Sequence, residues 1–359
     1  MGKTQPRLDE YFLGAVTPGG FSTEFSKVMN EDGYFTFILK GGAGTGKSSL
    51  MKRIAAELPG DKELYHCSSD PESLDAVVVK DKKVIVVDGT APHTFDPEVP
   101  AIKQVIVNLG DFWNEKKLLS GSEAVLDAMK LNRSYMGRAK RYVCALTDIC
   151  FDTYSLGSEA LDLSGIKALA SRLCARVITG KGSGTGKTRI RQLSAVTMQG
   201  LKTYEQTIEN CTKVYRFSDE YFAASSHLFD ELAAKAAAKG YDVIVCPTQL
   251  LSNDVTEHII IPELDLAFVS VNKLKGDIGT GRTTSLAKYY DESLMTLKAP
   301  RLKLNRTASK TLLDEAAKTL TLAKQSHDEI EKYYIAAMDF KRLDKAADKL
   351  IERIAKRKV

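Results

Sequence analysis

Gly41, Gly46, Lys47 and Ser48 stand at the spacing G-x-x-x-x-G-K-[ST], within Gly41-Gly42-Ala43-Gly44-Thr45-Gly46-Lys47-Ser48. Those residue types in that order suit one task, the holding of linked phosphates. Glycines let the backbone curl so that consecutive N–H groups face one concavity and approach phosphate oxygens closely. Lys47 is expected to reach the β- and γ-phosphates, and Ser48 to offer its hydroxyl to Mg²⁺. The expected cradle comprises Gly41, Gly42, Ala43, Gly44, Thr45, Gly46, Lys47, Ser48 and Ser49.

The flanking residues supply the context such a loop needs. Tyr34–Leu39 is a short run of aromatic and β-branched residues and reads as a strand. After Ser48 the period changes. Leu50, Ile54 and Leu58 recur four apart, with Lys52, Arg53 and Glu57 elsewhere, as on an amphipathic helix. A helix beginning there adds about half a positive charge and unpaired N–H groups at its N-terminus. A glycine-rich turn with no ligand is the plainer reading, and the order strand, glycine loop, helix argues against it.

A second acid is expected to complete the metal site. Val84–Val87 is a non-alternating apolar run, as in a strand buried on both faces, and it ends at Asp88. Ligands of open α/β sheets gather at such carboxyl ends, so Asp88 is expected to orient Mg²⁺. Its plainer reading is a turn residue before Gly89. Because Gly89 follows, no Glu stands beside Asp88 as a base. Asp70, His93 and Asp96, in the two loops expected above the strand ends, are the candidates. Each is equally a turn former or satisfied polar residue. Arg133, Arg138 and Arg141 lie in a helical stretch from which one could reach a γ-phosphate, and Arg282 could act in trans. A solvated helix face explains the first three as simply.

The 359 residues suffice for two domains, and the 43% hydrophobic and 27% charged fractions are those of an ordinary globular protein. The net charge of +5 is modest and gives little ground for nucleic acid as partner, although the basic closing stretch IERIAKRKV would fit one. MGKTQPRLDEYF lacks the apolar core of a signal peptide, and no apolar run approaches a membrane span. The six cysteines are scattered, with no C-x-x-C pair, and most sit in apolar stretches. Buried thiols and a cytoplasmic location are therefore expected.

The chain then repeats. Ala15-Val16-Thr17-Pro18-Gly19-Gly20-Phe21 recurs as Ala195-Val196-Thr197-Met198-Gln199-Gly200-Leu201, a period of about 180 residues. Tyr34–Leu39 corresponds to Val214–Phe217, Leu64–Cys67 to Val243–Cys246, Val77–Val79 to Ile259–Ile261, and Val84–Asp88 to Leu266–Ser270. Arg141–Asp148 pairs with Lys332–Asp339. In the second copy Asp219-Glu220-Tyr221-Phe222-Ala223-Ala224-Ser225-Ser226 replaces the glycine loop, with Ser225 near the place of Lys47 and Ser270 at that of Asp88. Aromatics would fill the cavity and two acids would repel an anion, so this copy is expected to serve structure or regulation.

The fold class expected is α/β, a P-loop NTPase-type sheet flanked by helices, duplicated, with a helical segment after each module. The expected segments are 10–112, the active module; 113–180, helical; 190–275, the degenerate module; 276–308, a basic loop; and 309–359, helical. Lys181–Thr188, KGSGTGKT, imitates a second phosphate loop. Lys181 stands where its first glycine should be, and Arg189-Ile190-Arg191-Gln192 lacks a helical apolar face. A mobile basic connector is expected there instead.

In AVTPGGF, LKGGAGTGKSSLMKRIA, YHCSSDPESLD, VDGTAPH, AKGYDVIVCP, EHIIIPEL and DLAFVSVN the chain resembles, over nearly its full length, a family of uncharacterised bacterial P-loop ATPases built from two tandem modules. The resemblance implies ATP as the nucleotide and an ATPase or kinase-like activity. The leading expectation is Mg²⁺-dependent ATP hydrolysis by the first module alone. Alternatives are a small-molecule or nucleotide kinase with its acceptor by Cys67–Asp75, and a non-enzymatic switch whose nucleotide state alters contact with a protein or nucleic-acid partner.

Overall fold

A computed structural model describes residues 6–17, 20–23, 28, 33–91, 94, 96–180, 182, 184–251, 255–276 and 278–357. In chain order the first half contains β1 (Leu8–Phe12), β2 (Gly14–Thr17), β3 (Gly20–Thr23), β4 (Phe35–Lys40), α1 (Lys47–Glu57), β5 (Lys62–His66), β6 (Leu74–Val79), β7 (Val84–Asp88) and β8 (Gln104–Asn108). Helices α2 (Glu115–Ser120), α3 (Ser122–Glu159) and α4 (Leu163–Val177) follow. The second half contains β9 (Thr188–Ile190), β10 (Ser194–Thr197), β11 (Gly200–Thr203), α5 (Glu205–Glu209), β12 (Lys213–Ser218), α6 (Ala223–Ala238), β13 (Val243–Pro247), β14 (Thr256–Ile261), β15 (Leu266–Val271) and β16 (Thr283–Ser285). It ends in α7 (Glu292–Ala337) and α8 (Phe340–Ala355).

The architecture is mixed α/β, with two six-stranded sheets flanked by helices. The first sheet has the order β1-β5-β6-β7-β4-β8 and the second β9-β13-β14-β15-β12-β16. Every neighbouring pair keeps its sense between them. β4 lies parallel to β7 and β8, as β12 does to β15 and β16. β6 runs antiparallel to β5 and β7, as β14 does to β13 and β15. Even the register shift at Tyr65/His66 recurs at Cys246/Pro247. The central strands β6, β14 and β15 are buried along their whole length, which is why Ala76–Val79, Ile259–Ile261 and Leu266–Val269 read as non-alternating apolar stretches.

The chain forms two compact units whose membership crosses the repeat. Unit 1 is Met1–Gly14, Phe21–Ala139 and Ala317–Val359; unit 2 is Ala15–Gly20 and Lys140–Ala316. In unit 1, Leu50, Met51 and Ile54 of α1 share a core with Leu343, Leu350 and Ile354 of α8, over Phe37, Val77 and Val86 of the sheet. In unit 2, Leu228, Phe229 and Leu232 of α6 share one with Ile166, Ala170 and Leu173 of α4, over Ile259 and Phe268. The helix following each module in sequence thus completes the other module's core. An amphipathic face specifies burial without naming its partner, so assigning 113–180 to the first module and 309–359 to the second does not follow from sequence.

Three further expectations change. The stretch 276–308 is not a loop: β16 adds to the edge of the second sheet, and α7 begins at Glu292 and runs through Pro300. The carbonyl of Thr296, which loses its usual N–H partner there, lies on an exposed residue where water can serve it. The Lys181–Thr188 region leads into edge strand β9, parallel to β13, and not into a helix. Lys187 donates its backbone N–H to Asp242 Oδ1 at 2.8 Å and Gly186 donates its own to Ala237 O at 2.9 Å, so the residues entering β9 are held; Lys181 and Ser183 lie outside the described residues. Finally, Asp339 caps α8 through the N–H of Arg342, as Asp162 caps α4 through that of Gly165. Asp162, not Asp148, is therefore the structural counterpart of Asp339. Long helices of similar period slip against each other in alignment; caps do not.

Candidate functional site

Within unit 1, β4 and β7 run parallel and end side by side, with Leu39 opposite Asp88. The loop Gly41–Gly46 leaves β4 at that edge and enters α1 through Gly46, whose φ of 84° places the N-cap in the left-handed region open to glycine. Asp88 and the head of α1 are thereby brought together. Lys47 Nζ donates to the carbonyls of Gly41 at 3.0 Å and Gly42 at 2.6 Å, and lies 3.7 Å from Asp88 Oδ2. Thr45, fully buried, donates its hydroxyl to Gly42 O at 2.8 Å and braces the loop.

The loop amides are different. Among the described residues no acceptor is found for the backbone N–H groups from Gly42 to Ser49, and no side chain caps α1. A row of donors with a lysine beside it and a helix head behind it can receive an anion. Ser49 is exposed, whereas the rest of the loop is at least half-buried.

The oxygen donors fit a hard cation. Asp88 uses Oδ1 to accept the N–H of Thr90 at 2.9 Å, which leaves Oδ2 directed at the Lys47 ammonium. Ser48 Oγ accepts the N–H of Leu74 at 3.0 Å and retains a lone pair. A hydroxyl and one carboxylate oxygen, with the remaining positions left to phosphate and water, suit Mg²⁺.

Asp75 joins this cluster and was not singled out by the sequence. β6 runs antiparallel to β7, so its first residues lie at the carboxyl end of β7, where Ala76 is opposite Val87 and Asp75 comes next to Asp88. Burial, then repulsion from Asp88, push the Asp75 carboxyl up to about 8, against the opposing influence of Cys67 and Lys47. The Asp75 carboxyl therefore holds a proton at neutral pH. The signal in the sequence was an acid immediately before the wholly apolar run Ala76–Val79.

The other candidate acids serve locally. Asp70 accepts from the Ser73 hydroxyl at 2.9 Å and the Glu72 N–H at 3.3 Å, and sits 3.5 Å from Lys324. The Asp96 side chain is 89% exposed, 3.7 Å from Lys40. His93 lies outside the described residues. Arg133, Arg138, Arg141 and Arg282 are all exposed, with Arg138 stacked over Tyr135.

The glycines of this loop also answer to a neighbour in unit 1. A Cβ on Gly42 would stand 2.6 Å from the Tyr334 ring, and one on Gly44 would stand 2.9 Å from the carbonyl oxygen of Glu331. The last turns of α7 thus lie directly against the loop.

Unit 2 carries the same elements without the same loop. Residues 219–222 connect β12 to α6, against 41–46 between β4 and α1, so the second loop is two residues shorter. Phe222 is the left-handed N-cap, with φ 65°, and matches Gly46. Ala223 therefore takes the place of Lys47; Ser225 lies two residues beyond it, a correction to the register expected from sequence. Asp219, buried, accepts the N–H of Tyr221 at 3.0 Å on Oδ1 and that of Ser225 at 2.8 Å on Oδ2. Tyr290 donates its hydroxyl to Asp219 and accepts the N–H of Ala224. The head of α6 is thus filled by a carboxylate of its own chain. Ser270 occupies the position of Asp88, since Phe217 pairs with it as Leu39 pairs with Asp88. Glu257, the counterpart of Asp75, is buried, but Lys275 at 2.6 Å overcomes that burial and holds it well below the usual carboxylate range.

No protein-family model, curated protein or solved structure matches the chain.

Proposed function

We propose that unit 1 binds a nucleoside triphosphate, taken to be ATP, with Mg²⁺ in a P-loop NTPase-type site, and hydrolyses it. The observation that carries this reading is the contrast between two equivalent helix heads in one chain. The amides of Gly42–Ser49 have no acceptor among the described residues, while those of Tyr221 and Ser225 are held by Asp219. A helix head left open beside Lys47 is the one prepared for an external anion.

In this reading the Gly41–Ser48 amides and Lys47 grip the phosphates, while Ser48 and Asp88 hold Mg²⁺. Bound Mg²⁺ neutralises charge that develops on the phosphate oxygens. Lys47 leaves the Gly41 and Gly42 carbonyls for the β- and γ-phosphates. Asp75, which lies beside Asp88, is in this reading the proton acceptor for the attacking water once ionised. Attack by that water forms one P–O bond and breaks the one to the leaving diphosphate. The test is phosphate release and thermal shift of the full-length chain with each common nucleoside triphosphate and Mg²⁺. Absence of both binding and turnover for every nucleotide would sink the reading.

The contact of Glu331 and Tyr334 with the loop favours a second component, a nucleotide-gated change in α7. Hydrogen exchange of residues 327–337 should then differ between free and ATP-bound protein, and identical exchange would remove this component.

A further inference from the structure

Unit 2 contains a cavity of about 1010 Å³ that the first site does not involve. It opens beside the plugged loop, where Glu220, Tyr221 and Phe222 form one wall. A face of α7 forms another, with Lys303, Arg306 and Lys310 spaced three and four residues apart and so projecting from one side of the helix. Lys273 adds a fourth cation; Glu220 and Asp314 are the two acids. None of the four cations makes an ion pair among the described residues. The interior is apolar in part, through Phe222, Leu302 and Leu313.

Asn272 fixes a polar point in that wall. Its Oδ1 accepts the N–H groups of Leu274 at 3.1 Å and Lys275 at 2.9 Å, so the amide cannot be turned around. The remaining Nδ2 is buried and has no acceptor among the described residues, in a residue 7% exposed. A buried donor left unsatisfied in a native fold calls for a partner.

We propose that this cavity binds a small phosphorylated molecule with an apolar or aromatic body, its anionic group among Lys303, Arg306 and Lys310 and an acceptor atom on Asn272 Nδ2. The volume is at the upper end of ligand sites, which are commonly about 300–1,000 Å³, so an occupant of nucleotide size fits. The second module has thus closed its helix-head anion site with Asp219 and offers a different one next to it. The two sites share no residue.

The experiment is calorimetric titration of the full-length Lys47→Ala chain, without Mg²⁺, with AMP and with 4-nitrophenyl phosphate, using inorganic phosphate as control. Disabling the first site separates failure of this proposal from failure of the nucleotide reading. At least one aromatic phosphate should bind, and more tightly than inorganic phosphate. Adding Arg306→Glu on the exposed helix face should weaken it by about tenfold or more. Asn272→Asp keeps the two backbone bonds to Oδ1 and replaces the donor with an acceptor, and should weaken binding similarly. No binding of either aromatic phosphate, or binding unchanged by both substitutions in chains whose circular dichroism is intact, overturns the proposal.

Discussion

The Oδ2 of Asp219 accepts the backbone N–H of Ser225 at 2.8 Å, and with it the second module satisfies its own helix head. The equivalent donors in the first module have no acceptor among the described residues. Two sheets of identical strand order thus carry differently filled helix heads.

Asp219→Ala should destabilise unit 2 by about 2 kcal/mol, since two buried N–H groups and the Tyr290 hydroxyl lose their acceptor. Urea denaturation followed by circular dichroism measures this. The variant should gain no triphosphate binding, because the loop remains two residues short and has Ala223 where Lys47 would be. A gain would show that the plug alone had silenced the site.

Lys47→Ala should abolish turnover and weaken nucleotide binding, with loss of charge-assisted bonds worth about 1.5–3 kcal/mol each, while thermal unfolding stays near that of the parent. Lys187→Ala should leave both untouched, because Lys187 leads into an edge strand. Equal losses from the two substitutions would overturn the assignment of the site.

Asp88→Asn should raise the Mg²⁺ concentration needed for half-maximal turnover, as the carboxylate oxygen facing Lys47 becomes an uncharged amide. A metal titration at saturating ATP reads this directly. An unchanged midpoint would move the metal elsewhere.

Asp75 gives the protein a pH dependence of defined sign. Its carboxyl is raised from 3.8 to about 8, so between those values the folded state binds a proton that the unfolded state does not. Its contribution to stability is therefore present at low pH and lost as pH rises from about 4 to about 8. Asp75→Asn should remove that part of the slope in urea titrations across the window. Binding of Mg²⁺ and ATP near pH 7 should release a proton, visible as a buffer-dependent calorimetric heat, and the release should vanish in Asp75→Asn.

The glycine loop between β4 and α1 and the apolar strands were legible in the sequence because their signals are local: glycine, lysine and serine at fixed spacing, and unbroken valine runs. Asp75 was not, because its position depends on β6 reversing direction and beginning where β7 ends. Asp219 was visible, yet as a charge that would repel a phosphate; that it replaces one follows only from its bonds to Tyr221 and Ser225. Gly42 and Gly44 read as phosphate residues, and the closeness of Tyr334 and Glu331 adds a second constraint that no spacing reveals. The partner of each amphipathic helix was equally hidden. Leu343, Leu350 and Ile354 state that one face of α8 is buried, while pairing with α1 is a matter of topology.

The core shared by α1 and α8 sets an order of events during synthesis. Residues 47–57 leave the ribosome early, but the apolar surface they present is covered by residues 340–355, with all of 140–316 made in between. The nascent first unit must therefore wait with a greasy flank uncovered while an entire second unit is translated. Sensitivity to anything that delays or removes the stretch from 340 onward follows from that connectivity.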